Sequence, residues 1–211
     1  MQNRYFTVLG AGTSEVIEKK SRFLGLLLHA ETPEEAESAV AAVRKKHYDA
    51  RHNCFAYIVG EPGGSETLRA GDDGEPQGTA GRPMLEVLKG RELHNCVLVV
   101  TRYFGGTLLG TGGLIRAYTE AAQKACESAE IVEKLRGTRI RLHVSYNASG
   151  KLGYLFAWEG VTVLDTVYGA DVQMDILAPE GEESALQKRI IEATDGKAEI
   201  ELLDQTEIDL R

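Results

Sequence analysis

The sequence predicts an α+β protein of two domains. Up to about residue 128, apolar runs of strand length alternate with amphipathic helical stretches. Across residues 129–137 (AEIVEKLRG) the pattern changes character. From 137 onward, period-two and helical patterns follow one another in the order βαββαβ, the ferredoxin-like split βαβ unit. The expected domains are therefore residues 1–132 and 137–211.

The first domain opens with a strand from Tyr5 to Leu9 and a Gly10-Ala11-Gly12 turn. A partly alternating strand follows over Thr13 to Lys19, and then a more buried one over Ser21 to His29, rich in leucine and entered through a basic Lys19-Lys20-Ser21-Arg22 turn. Thr32-Pro33-Glu34-Glu35 is a helix start: Thr32 caps, Pro33 suits the first helical position and Glu35 completes a capping box. Ala36, Ala39, Val40 and Val43 then give that helix one buried face, and Arg44-Lys45-Lys46 suit its negative pole. Asn53 to Val59 reads as a strand, and Glu61 to Gly71 as a mobile loop suited to a lid or contact arm. Thr79 to Leu88 reads as a short helix capped at Gly90. Cys96 to Val100 is a strand buried on both faces, and Leu114 to Ser128 a helix whose alanines imply close packing on a sheet.

In the second domain, Ile140, Leu142, Val144 and Tyr146 alternate with polar residues, as in a half-buried strand. Asn147 is the expected cap of a helix carrying Leu152, Leu155 and Phe156 and closed by Gly160. Val161, Val163 and Val167 form a strand, and Val172 to Ala178 another. A helix through Leu186, Ile190 and Ala193 stops at Gly196, and Ala198, Ile200 and Leu202 give the last strand.

Composition narrows the function classes. The net charge of −8 is uneven: about −2 over residues 1–135 and about −6 over 136–211. Phosphate binding needs a local excess of Lys and Arg, so a general nucleic-acid-coating role is disfavoured, and any anion-binding surface belongs to the first domain. The three cysteines, Cys54, Cys96 and Cys126, are odd in number and far apart, which suits reduced thiols in a cytoplasmic protein. No apolar run approaches 18 residues and no signal-peptide core is present, so no membrane partner is expected.

The chemistry concentrates between Gly71 and Tyr118. Ten of the 23 glycines fall between Gly71 and Gly113. Such density points to tight turns and close backbone approach. Gly110-Thr111-Gly112-Gly113, read as a loop feeding a helix, should leave amides free for an anion. Arg102, Arg116 and Arg82 are the candidate cations. Tyr103 is the better candidate for an exposed stacking aromatic, and Phe104 either joins it or plugs the core under the loop. Asp72, Asp73 and Glu75 could ligate a divalent cation, cap turns, or pair with Arg102 across the two segments. The Lys-Ser/Thr of a Walker A loop, a strand-linked GxGxxG, GxSxG and HExxH are all missing, so no catalytic residue, cofactor or metal site is assigned.

Three segments carry a resemblance. RHNCFAY (Arg51 to Tyr57), DDGEPQGTAGRP (Asp72 to Pro83) and VVTRYFGGTLLGTGGLIRAY (Val99 to Tyr118) resemble, in that order, the signature of the YigZ/IMPACT family. Its signature loops here comprise Asp72, Asp73, Gly74, Glu75, Pro76, Gly78, Thr79, Gly81, Gly105 and Gly106. The resemblance implies an N-terminal two-layer α/β sandwich similar to domain IV of elongation factor G, and a C-terminal domain similar to its domain V. It thereby implies contact with RNA, the ribosome or a translation-linked protein. The eukaryotic relative IMPACT restrains the amino-acid-starvation kinase by competing for its activator. Eukaryotic members carry an RWD module that has no counterpart here, so the two-domain layout resembles the bacterial one.

The leading expectation is a non-enzymatic, translation-associated regulator that tunes translation under stress, with phosphate on Arg102, Arg116 and the Gly110–Gly113 loop. The alternatives are a metal-dependent hydrolase or phosphate-transfer enzyme using Asp72, Asp73 and Glu75, and a protein-interaction regulator without nucleic acid. The oligomeric state is left open.

Overall fold

The structure, a computed structural model, describes residues 4–62 and 64–210. The chain divides into two compact units, Tyr5–Glu133 and Lys134–Leu210. In the first, the elements run β1 (Arg4–Gly10), β2 (Gly12–Glu18), β3 (Ser21–His29), α1 (Pro33–Lys46), β4 (His52–Gly60), β5 (Glu66–Gly71), α2 (Gly81–Gly90), β6 (Cys96–Tyr103) and α3 (Gly110–Ser128). Five of these strands form an antiparallel sheet in the order β2-β3-β6-β4-β5.

The central strands β4 and β6 are apolar at nearly every position, so both faces of the sheet must be covered. Phe23, Leu27, Cys54, Ala56, Leu98 and Val100 pack beneath α2 and α3. Phe55, Tyr57, Val97 and Val99 on the opposite face pack beneath α1. The α/β sandwich thus has its helix pair on one side and α1 as a further layer on the other. Alanines at 117, 121, 122 and 125 let α3 lie close to the sheet, and Gly25 sits under it with Ala121 O about 3.1 Å from where a Cβ would stand. Thr32 Oγ1 accepts from the Glu35 amide, which caps α1. The Glu35 carboxylate reaches one residue further back than a capping box requires, accepting from the Glu31 amide.

Four local expectations are corrected. The 61–71 segment is no mobile lid: Glu66–Gly71 forms β5, registered along β4 from Gly60↔Glu66 to Phe55↔Gly71. Its side chains are mostly exposed, so the strand rests on backbone pairing at an edge and gives no hydrophobic alternation to read. Gly63 lies outside the described residues. Helix α2 starts at Gly81 and ends with Arg91 at its C-cap, leaving Gly90 inside. Helix α3 begins at Gly110, so Thr111, Gly112 and Gly113 form its first turn instead of a loop ahead of it. Of the 129–137 stretch read as a junction, all but Ala129, the C-cap of α3, belongs to one long strand, β7 (Glu130–Val144).

In the second unit β7 is followed by α4 (Tyr146–Glu159), β8 (Thr162–Tyr168), β9 (Val172–Pro179), α5 (Glu183–Ala193) and β10 (Glu199–Leu210). The order β10-β7-β9-β8 is the ferredoxin-like arrangement. Leu152 and Phe156 of α4 and Leu186 and Ile190 of α5 bury against Ile140, Leu142, Met174 and Ile176. Ser145, not Asn147, caps α4 by accepting from the Ala148 amide, and Tyr146 is the first helical residue. Gly160 closes that helix in the left-handed region at φ 69°.

Across β7 and β9, Arg141 Nε and an Nη donate to the two Asp175 oxygens at 2.8 Å each. This fork, acting ahead of the opposing effect of burial, holds the Asp175 carboxyl below its ordinary value. A carboxyl depressed in the folded state contributes stability above its unfolded value, and that contribution is lost as pH falls through the folded value. Acid unfolding followed by circular dichroism should therefore be less steep below about pH 4 in Asp175→Asn than in wild type.

Candidate binding cleft

The site is built on one row of cross-strand neighbours. Phe23 of β3 pairs with Arg102 of β6, and Arg102 pairs with His52 of β4. Arg102 is only 5% exposed. A bare guanidinium at that depth would be strongly destabilising, so its partners matter. Nη1 donates to Glu75 Oε1 at 2.7 Å, and Nη2 reaches Ser21 Oγ at 3.4 Å. Its Cζ lies 5.3 Å from the Phe23 ring centroid and 5.6 Å from that of Phe104. Glu75, 8% exposed, also accepts from the Tyr118 hydroxyl of α3 at 2.8 Å. One carboxylate thus joins the 72–83 segment, strand β6 and helix α3.

The neighbouring acids have different duties. The Asp72 carboxylate accepts from the Gly78, Ala80 and Gly81 amides at 2.8, 3.0 and 2.9 Å. It is the cap of α2, supplied from eight residues upstream because Ala80 has no side chain to offer. Asp73, at φ 44°, accepts from Arg44 Nη2 and the Asn53 amide, and its carbonyl accepts from His52 Nδ1. Gly81 is needed for close approach: a Cβ there would stand 2.7 Å from the Gly71 amide nitrogen. Gly105 is needed for the same reason, its Cβ position being 2.1 Å from the Lys20 carbonyl carbon.

These contacts overturn the shared-metal arrangement. Asp72, Asp73 and Glu75 turn their oxygens to separate partners, and among the described residues no group of three His, Cys, Asp or Glu side chains is arranged to hold a metal ion. Burial first, then Cys54 and Glu75, push the Tyr118 phenol well above its ordinary value, so it stays a neutral donor. Burial likewise raises the Cys54 thiol, whose Sγ lies 3.0 Å from the Asp72 carbonyl and 3.3 Å from the Tyr118 hydroxyl. A protonated, enclosed thiol is a packing group, not a nucleophile.

Above this network lies a cleft of about 340 Å³. Gly74, Glu75 and Pro76 form one wall; Phe104, Leu108, Leu109, Gly110 and Thr111 form the other; Arg51, His52, Arg102 and Leu114 complete it. The two glycine-rich segments therefore meet. The cations expected there do not all converge. Arg82 lines a separate groove of about 600 Å³ between α2 and α3, together with Gly78 and Ile115. Arg116 is exposed on α3 and lines neither recess. Arg102 is present but its charge is already met by Glu75. Tyr103 points to the opposite face, where its hydroxyl meets His47 Nδ1 at 2.9 Å and Asp49 at 3.1 Å. Thr79 is buried and bonds the Pro76 carbonyl; Gly106 and Gly113 complete the glycine-rich segment without lining the cleft.

Sequence reasoning missed Arg51 and Leu108 as site residues and ranked Tyr103 ahead of Phe104. Phe104 was recoverable: side chains two apart on a strand share a face, so Arg102 carries Phe104, not Tyr103, to its own side. Phe104 is 41% exposed and Leu108 83%, so neither plugs the core.

Residues 19–126 match the Impact N-terminal domain, and residues 142–197 match a domain of unknown function, DUF1949. IMPACT family member YvyE of Bacillus subtilis is 38% identical over 200 residues, covering 95% of this chain and 91% of that protein. IMPACT family member YigZ of Escherichia coli is 34% identical over 187 residues, covering 89% and 92%. A solved structure titled only as a hypothetical protein superposes with a TM-score of 0.63 at 31% identity, covering 97% of this chain and 99% of that one. All three signature segments fall inside the matched Impact domain and the relatives extend over both units: the chain belongs to the IMPACT family.

Proposed function

We propose that this protein is a non-enzymatic, translation-associated regulator that acts in the cytoplasm by binding a protein partner in the cleft between Gly74–Pro76 and Phe104–Thr111. One observation carries the reading. The carboxylates under the cleft are already satisfied, Glu75 by Arg102 and Tyr118 and Asp72 by three amides, while the rim offers exposed leucine and phenylalanine. Groups so committed hold a shape; exposed apolar side chains around a recess recognise a partner. The link to translation is supported by the family and by the resemblance of both domains to elongation factor G.

A second reading, RNA, is favoured by Arg51 at the rim and by exposed Arg82 and Arg116 on the same unit. Partner capture on the tagged full chain separates the two. We expect capture to survive nuclease and 0.5 M salt, and to fall at least ~10-fold in Leu108→Asp, a change at an exposed site that spares the core. Loss on nuclease treatment, with affinity falling steeply as salt rises, assigns RNA. Undiminished capture by Leu108→Asp contradicts the cleft as the binding site.

A further inference from the structure

Resting on that binding role for the cleft, we infer that its occupant is a carboxylate carried next to one large apolar group, as in a protein C-terminus ending in leucine or phenylalanine. Size comes first. About 340 Å³ is near the lower limit of ligand pockets, enough for a single terminal residue and too little for an extended polymer. Chemistry comes second. Phe104, Leu108, Leu109 and Leu114 give the walls an apolar body-binding character. The Glu75 charge is cancelled by Arg102, so the floor does not repel an anion.

Positive character remains at two places. Arg51 lines the cleft, is exposed, and forms no ion pair among the described residues. Gly110 and Thr111 open α3, and the residue before them, Leu109, supplies no side-chain cap, so the amides of this first turn lack acceptors. A Cβ at Gly110, which lines the cleft, would meet nothing within 4 Å, so the chain is uncrowded there. The Arg102 Nε also lacks a hydrogen-bond partner, but it is itself buried inside the cleft wall and is not a donor that an occupant reaches. A carboxylate supplies acceptors to Arg51 and to the first-turn amides of α3, and an apolar side chain beside it fills the recess.

The same chemistry could come from a protein C-terminus or from a small free acid, and one titration distinguishes them. The full chain, labelled with nitrogen-15, is titrated to 5 mM with an acetylated tetrapeptide ending in free Phe, the same peptide as its C-terminal amide, and N-acetyl-phenylalanine. We expect the free-acid peptide to shift the Gly110, Thr111 and Gly112 amides saturably, and the amide to bind at least ~10-fold more weakly. Arg51→Ala should weaken the free acid by a similar factor and Arg82→Ala should not. N-acetyl-phenylalanine binding as tightly as the peptide supports the chemistry and assigns a small molecule; tighter peptide binding assigns a C-terminus. Equal binding of acid and amide, indifference to Arg51→Ala, or no saturable shift with either acid overturns the inference. If Leu108→Asp releases a captured partner while neither acid binds, this inference alone fails. If the acids bind while capture is unaffected by Leu108→Asp, the regulatory reading alone fails.

Discussion

Arg102→Ala should destabilise the first unit by ~3–5 kcal/mol, because it leaves Glu75 ionised, buried and missing its strongest donor. Glu75→Gln should fall in a similar range by the converse route. It strands the guanidinium between the Phe23 and Phe104 rings with no counter-charge. For a unit of this size that corresponds to a loss of roughly 10 °C or more in Tm. Denaturant unfolding of both single variants and of the Glu75→Gln/Arg102→Met pair gives the coupling directly. The double variant should be no less stable than either single one, since removing both charges also removes the desolvation penalty. Stability within ~0.5 kcal/mol of wild type for Arg102→Ala would show that the pair is solvent-screened and does not hold the segments together.

Asp72→Ala should cost ~2–4 kcal/mol. A cap of ordinary kind contributes ~1 kcal/mol, and hydrogen bonds to a charged acceptor contribute more. Here one carboxylate serves three amides, at Gly78, Ala80 and Gly81, and nothing else on the segment replaces it. Asp72→Asn keeps one acceptor oxygen and should lie between alanine and wild type. The effect should appear as faster hydrogen exchange in the first turn of α2, around Met84, while amides of α5 in the second unit stay unchanged. Uniform loss of protection along both units would mean that Asp72 acts on global stability and not as a local cap.

The regular elements were legible wherever the pattern had a period. Ser21–His29 coincides with β3, and Thr32-Pro33 marks the start of α1, because alternation and capping chemistry are written in adjacent residues. The βαββαβ order of the second unit was equally readable from valines and leucines at strand and helix spacing. What failed were features set at a distance. β5 has no apolar face and exists through its pairing with β4. The cap of α2 comes from Asp72, beyond the usual range of a capping motif. The Glu75–Arg102 pair was available as one option among several, since both residues lie in signature segments, but its burial was not. Arg82, Arg116 and Tyr103 were grouped with Arg102 by nearness in sequence, whereas helix and strand geometry sends them to other surfaces.

The central claim is that two segments some thirty residues apart form one cooperative structure around a buried charge pair and so define the cleft. Native-state hydrogen exchange on Glu75→Gln tests it most directly. Exchange should rise together at the Gly78, Ala80 and Gly81 amides and across Leu114–Tyr118 of α3, with one common opening free energy. Increases confined to residues 72–81, with α3 as protected as in wild type, would contradict it.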